Sequence, residues 1–191
     1  MRLGIVASGK GSNLRNLVEL GFDVVAVATN RPDCGAAAFG RKRGIPLGEF
    51  PQKRYDSAIA RDAAMTAWLL AVGVEVVVCA GYDRVLTSPL LEAFPGRILN
   101  IHPSLLPEFA GGMDAVGQAL AAGVARTGCT VHLVTSAVDA GPVLLQATVP
   151  VEVGDSEATL HARIQIEERR ILPEAIRLLE SRLAAAGAPQ R

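Results

Sequence analysis

Leu3-Gly4-Ile5-Val6-Ala7-Ser8-Gly9-Lys10-Gly11-Ser12-Asn13 carries a short apolar run into a glycine turn and then into a helical pattern. An apolar run without alternation is the mark of a strand buried on both faces. Residues 24–28, 74–80 and 98–101 repeat that mark, and stretches at 13–20, 36–43 and within 55–72 read as helices between them. Strand and helix in alternation predict an α/β fold, a mostly parallel sheet with helices on both faces. Beyond residue 101, a helix is expected at 115–122. Strands are expected at 130–134 and 143–149, joined by a turn through Asp139-Ala140-Gly141-Pro142. Too few residues separate these two strands for a crossover helix, so the pair is expected to be antiparallel. A last helix is predicted over 159–183, with Asp155 or Ser156 as its cap and Pro173 as a kink point. Residues 184–191 are expected to fray.

With 191 residues, half of them apolar, the chain is expected to form one domain over 1–191. Nineteen basic and nineteen acidic side chains cancel. No global field draws such a protein to nucleic acid or an anionic membrane, and a small-molecule partner becomes the expectation. The three cysteines, Cys34, Cys79 and Cys129, have neither zinc spacing nor a disulfide framework, which fits a reducing cytoplasm and no metal. No stretch reaches the ~18 uninterrupted apolar residues of a membrane span. Whether the chain acts as a monomer or a homodimer is left open by the sequence.

Three elements carry chemistry. The glycine loop lies between a strand and a helix, where free backbone N–H groups and the helix dipole favour a phosphate. It lacks the endings of a P-loop or a dinucleotide fingerprint, and an ordinary glycine turn is the competing reading. The second element is Asn100-Ile101-His102-Pro103-Ser104-Leu105-Leu106-Pro107. Residues i and i+2 of an extended segment point to one side, so Asn100 and His102 can converge on one reacting oxygen. Pro103 and Pro107 stiffen the loop after His102. The third is Asp139, whose carboxylate near His102 would favour imidazolium and hold the ring. Ligands of open parallel sheets bind at the carboxyl ends of the strands, where the first two elements fall. Without a nucleophile in an elbow, direct transfer between two bound substrates fits better than a covalent route.

Together, Val6 to Leu14, Ala80-Gly81-Tyr82-Asp83-Arg84-Val85-Leu86, Asn100 to Pro107, Thr127-Gly128-Cys129-Thr130-Val131-His132, Asp139-Ala140-Gly141-Pro142-Val143, Gln146, Gly154-Asp155 and Glu168 resemble the folate-dependent phosphoribosylglycinamide formyltransferase family over nearly the whole chain. The resemblance implies the Rossmann-like formyltransferase fold and transfer of a formyl group from 10-formyltetrahydrofolate, a co-substrate, to the amine of phosphoribosylglycinamide. It assigns the substrate phosphate to Gly11, Ser12 and Asn13, and further substrate contact to Glu168. The folate falls to Asp83, Arg84, Val85, Leu86 and Asn100, with the turn around Asp139. Asn100, His102 and Asp139 match the catalytic trio.

The chain departs from the family at Asp83, where methionine is usual, bringing a carboxylate toward a site that must accept a flat anionic ligand. Residues 109–114 replace a Pro-Gly and a nearby histidine, and read as a glycine-hinged flap. The family's upstream folate-facing arginine is matched to Arg54, with Lys53 and Arg61 as alternatives. His132 reads as core or as support behind the site, His161 as solvated, and Cys79 and Cys129 as inert apolar residues. Two other functions stay open: a formyltetrahydrofolate deformylase, with water replacing the amine, and a non-catalytic nucleotide- or folate-binding module.

Overall fold

Four near-parallel apolar runs become the centre of one sheet in the computed structural model, which describes residues 1–112 and 114–187. The strands are β1 (Leu3–Val6), β2 (Val24–Thr29), β3 (Leu47–Glu49), β4 (Val76–Cys79), β5 (Ile98–His102), β6 (Arg126–Leu133) and β7 (Val143–Pro150). Their order is β3-β2-β1-β4-β5-β6-β7. Pairings through β5 are parallel, whereas β6 runs antiparallel to both β5 and β7. The expected antiparallel pair is therefore present, and it is stitched to the parallel part by a second antiparallel junction.

The helices are α1 (Ser12–Glu19), α2 (Gly35–Arg43), α3 (Ala58–Val72), α4 (Ser88–Ala93), α5 (Ala115–Ala121) and α6 (Glu157–Gly187). They cover both faces. Leu3, Ile5, Val76, Val78, Leu99 and Ile101 point into a core shared with Leu14 and Leu17 of α1 and Leu160 and Ile164 of α6. Val6, Val77, Cys79 and Ile98 point the other way, toward Met65 and Leu69 of α3, Leu90 of α4 and Phe94 just after it. Each fully buried Leu or Ile contributes roughly 1.5–3 kcal/mol of transfer free energy, so neither face could stay bare. This two-sided demand explains the unalternating runs.

Chain order reverses between β1 and β4, because α1 packs on one face and α3 on the other. Loops leaving these strands diverge and open a crevice at their carboxyl ends. The second face of β5 also loses its cover: Ile98 is capped by apolar side chains, while Asn100 and His102, next on the same face, border a cavity.

Three short elements escape the sequence pattern: β3, α4 and a 3-10 turn at Gln52–Arg54. None is long enough to show a period. Helix α6 is preceded by Ser156, whose Oγ accepts the Thr159 N–H at 3.2 Å, so Ser156 rather than Asp155 is the cap. Asp155 instead receives Arg163 and the Glu152 N–H. The helix passes through Pro173 and continues to Gly187, beyond the end expected at Leu183. The remainder of the expected frayed tail, 188–191, lies outside the described residues, as does Met113 of the expected flap.

Candidate active site

The glycine loop leaves β1 and turns into α1 at Gly11, whose φ of +76° is left-handed. A Cβ there would lie 2.8 Å from the Ala36 Cα, so only glycine allows the loop to nest against α2. Neither Ser12 nor Asn13 caps the helix at Gly11. Asn13 instead reaches across to α6 and donates from Nδ2 to Glu168 Oε2 at 3.0 Å. Its Oδ1 is buried without a partner. Burial pushes the Glu168 carboxyl above the usual range, against the pull of the Asn13 amide, His161 and Arg169. Gly11, Ser12, Asn13 and Glu168 all line one cavity of about 1160 Å³.

Residues 83–86 form another wall of that cavity. Asp83 is engaged: its Oδ1 accepts from Asn30 Nδ2 at 2.7 Å and Ser8 Oγ at 3.0 Å, and Oδ2 pairs with Arg31. Burial works against ionisation, but the Asn30 and Ser8 hydrogen bonds and the Arg31 and Arg84 charges hold its carboxyl below the usual range. Arg84 and Val85 are largely exposed on the cavity wall.

Beneath them lies a fully buried pair, Arg61 and Asp62. Arg61 Nε donates to Asp62 Oδ1 at 2.8 Å and its Nη2 reaches the Val85 carbonyl at 3.4 Å. Asp62 Oδ2 accepts from the N–H and hydroxyl of Thr87. Of the three upstream candidates Arg54, Lys53 and Arg61, Arg61 is thus the one that touches this segment, from below. Arg54 and Lys53 are exposed on the 3-10 turn and do not line the cavity.

The trio converges. Asn100 and His102 come from β5, and Asp139 comes from the β6–β7 connection, with a left-handed φ of +52°. Asp139 lies between two rings: Oδ2 is 3.5 Å from His102 Nδ1, and Oδ1 is 3.6 Å from His132 Nε2. The His132 ring chiefly, then the Gly111 N–H and the two imidazoles, hold the Asp139 carboxyl low against the effect of burial. Asn100 Nδ2 lies 3.1 Å from His132 Nε2, and His132 Nδ1 lies 3.0 Å from the Leu133 carbonyl. His132 thus touches two of the trio. It faces Asn100 directly across β5 and β6, a register that the sequence does not disclose.

Residues 109–112 fold over the trio. The Phe109 carbonyl sits 3.1 Å from His102 Nε2, and the Gly111 N–H donates to Asp139 Oδ2 at 2.9 Å. Phe109 adopts a φ of +57°, strained for a residue with a side chain. The loop before it is held from β6: Thr130 Oγ1 donates to the Ser104 carbonyl at 2.7 Å and accepts the Leu106 N–H at 3.0 Å.

His161, expected on a solvated face, is half-buried and lines the cavity with Gln165, because the first turns of α6 close one side of it. Cys79 and Cys129 are buried in strands, and burial first of all pushes both thiols up to about 12, in keeping with inert side chains. Among the described residues, no helix is long and apolar enough to cross a membrane, and no cluster of three or more His, Cys, Asp or Glu is arranged to hold a metal.

Residues 1–176 match the model of the formyl transferase family. A phosphoribosylglycinamide formyltransferase of Mycobacterium tuberculosis is 44% identical over 183 residues, 93% of this chain and 84% of that protein. The human trifunctional purine biosynthetic protein adenosine-3 is 38% identical over 186 residues, and this chain spans only 18% of its length. Among solved structures, glycinamide ribonucleotide transformylase 1 from Symbiobacterium toebii superposes with a TM-score of 0.91 at 46% identity, covering 95% of this chain and 89% of that one.

Proposed function

We propose that this chain, which belongs to the formyl transferase family and within it to the phosphoribosylglycinamide formyltransferases, transfers the formyl group of 10-formyltetrahydrofolate to the amine of 5-phosphoribosylglycinamide, a step of purine biosynthesis. The observation that carries this reading is the single cavity shared by the glycine loop, Glu168, residues 83–86 and the trio Asn100, His102 and Asp139. One space of about 1160 Å³ has room for two substrates side by side.

In this reading the substrate phosphate lies against Gly11, Ser12 and Asn13, where unpaired N–H groups and the dipole of α1 favour negative charge. Glu168 contacts the same substrate, and the folate runs along residues 83–86 toward the Asp139 turn. The amine attacks the formyl carbon, and negative charge grows on the formyl oxygen. Asn100 Nδ2 carries two hydrogens, of which one faces His132 and the other remains for that oxygen. His102 Nε2 serves the same oxygen when the formyl group takes the position of the Phe109 carbonyl. Preorganised donors of this kind contribute about 10²–10³ in rate each. As the bond from the formyl carbon to N10 breaks, the proton of the attacking amine passes to N10. Asp139 assists directly or through water.

The test is to mix the protein with 10-formyltetrahydrofolate, with and without phosphoribosylglycinamide, and to follow tetrahydrofolate formation and the mass of the amine. Formylated amine is the expected result. Formate released without the amine would point to the hydrolase, and absence of turnover would leave a binding module.

A further inference from the structure

We propose that Arg31 determines co-substrate specificity at this site: by closing an ion pair on Asp83 it neutralises the carboxylate that the exit of β4 turns toward the cavity, and so admits an anionic ligand along residues 83–86. The inference rests on the reading of those residues as the berth of the folate.

Asp83 is held by two kinds of partner. Ser8 and Asn30 are buried neutral groups that fix its position: the Asp83 N–H donates to Ser8 Oγ at 3.0 Å, and Ser8 Oγ in turn lies 2.6 Å from Asn30 Oδ1. These bonds span the ends of β2, β1 and β4, and so bridge the crevice at which the chain order reverses. They leave a full negative charge on a cavity-lining side chain that is 13% exposed.

Only the two arginines oppose that charge among the contacts of Asp83. Arg84 Nε is 3.7 Å away, and its side chain stands on the cavity wall, where it is available to the ligand. Arg31 is different. It does not line the cavity, and its guanidinium is committed to Asp83 Oδ2. The loop that carries it is set by Thr29, whose Oγ1 accepts the Arg31 N–H at 3.0 Å and donates to the Arg31 carbonyl at 3.2 Å. Without Arg31, the Asp83 charge would repel a ligand carboxylate and draw Arg84 away from it. At a separation of about 7 Å and an effective dielectric near 40, such an unscreened charge is worth roughly tenfold in affinity.

The experiment compares wild type, Arg31→Ala and the double variant Arg31→Ala/Asp83→Asn, using the KM for 10-formyltetrahydrofolate and calorimetric binding of 5-formyltetrahydrofolate, a stable anionic folate. Arg31→Ala is expected to raise both constants about tenfold, with kcat within about twofold and a melting temperature close to wild type, because Arg31 is itself exposed. Added salt should narrow the difference. The double variant, lacking the carboxylate charge, is expected to recover affinity to within about threefold of wild type. Unchanged constants in Arg31→Ala, or a double variant as weak as the single, would overturn the proposal, the second by showing that Arg31 only braces the loop. A wild-type protein that binds no folate would overturn the co-substrate reading itself, and this inference with it.

Discussion

At the carboxyl ends of β2, β1 and β4 the polar side chains are bonded to one another, whereas at the ends of β5 and β6 they are held more loosely. Ser8, Asn30 and Asp83 interlock at 2.6–3.0 Å. The contacts of Asp139 with His102 and His132 are 3.5 and 3.6 Å, and the Phe109 carbonyl and Gly111 N–H, groups of a loop, complete the surroundings of His102 and Asp139. On the proposed function, the difference separates support from reaction. A buried polar group that must hold still is satisfied fully, because leaving it unmade costs about 1–3 kcal/mol. On that reading, a group that meets developing charge keeps hydrogen-bonding capacity for it, and the Phe109 carbonyl and the Gly111 N–H take up that capacity here.

The largest effect expected from this contrast lies on the loosely held side. Asn100→Ala and Asp139→Asn should each lower kcat by about 10²–10³ while leaving folate affinity within a few-fold, as steady-state kinetics and calorimetry would measure. A fall in affinity with kcat preserved would mean that the two regions do not divide their work in this way.

Next comes Ser8→Ala on the tightly held side. It strands the Asp83 N–H and one of the Asn30 groups in a buried place, a loss of about 1–3 kcal/mol, or several degrees in Tm. Thermal unfolding checks it, and an unchanged Tm would deny the network its supporting role.

Glu168→Gln tests an intermediate case, a buried carboxyl with one bond from Asn13. Its folded pKa is raised above 4.5, so the stability associated with it is complete below pH 4.5 and lost as pH rises through the folded value. The variant should therefore gain in Tm relative to wild type between pH 4 and pH 7, even as it binds the amine substrate less well. A constant difference across that range would show that Glu168 carries no such penalty.

Asp139 has the opposite sign. Its pKa is lowered from 3.8, so its contribution to stability is present above that value and is lost as pH falls through the folded one. Wild type and Asp139→Asn should differ in Tm at pH 7 and converge as pH falls below 3.8. The effect is smaller because Asp139 is only partly buried and its contacts are long.

Much of the fold was legible. The unalternating runs of β1, β2, β4 and β5 announced strands covered on both faces, and the glycine loop announced the entry to α1. Three-residue β3 and six-residue α4 left no period to read. Of the candidate site, Asn100, His102, Asp139, Asn13 and Glu168 were legible by residue type, spacing and resemblance, and they share one cavity. His132, read as core or support, is buried behind Asn100 and Asp139, but its partners, like the place of His161 on the cavity wall, were not legible. The first needed the β5–β6 register, which pairs it with Asn100. The second needed the packing of α6 across the sheet end, a contact between segments about 150 residues apart. Asp83 is the clearest case. As a residue it reads as an unwanted charge, and only the arrival of Arg31 and Asn30 from the end of β2 makes it a closed pair.

Local chemistry along the chain determined the α/β class, the strand-loop-helix of the glycine turn, and the shared side of Asn100 and His102, since each depends on neighbours within a few residues. Tertiary structure alone decided which carboxylate meets which ring, which arginine neutralises Asp83, and which loop covers the trio. These depend on register and on the closure of distant segments, where ångström-scale distances set the electrostatics and no local pattern records them.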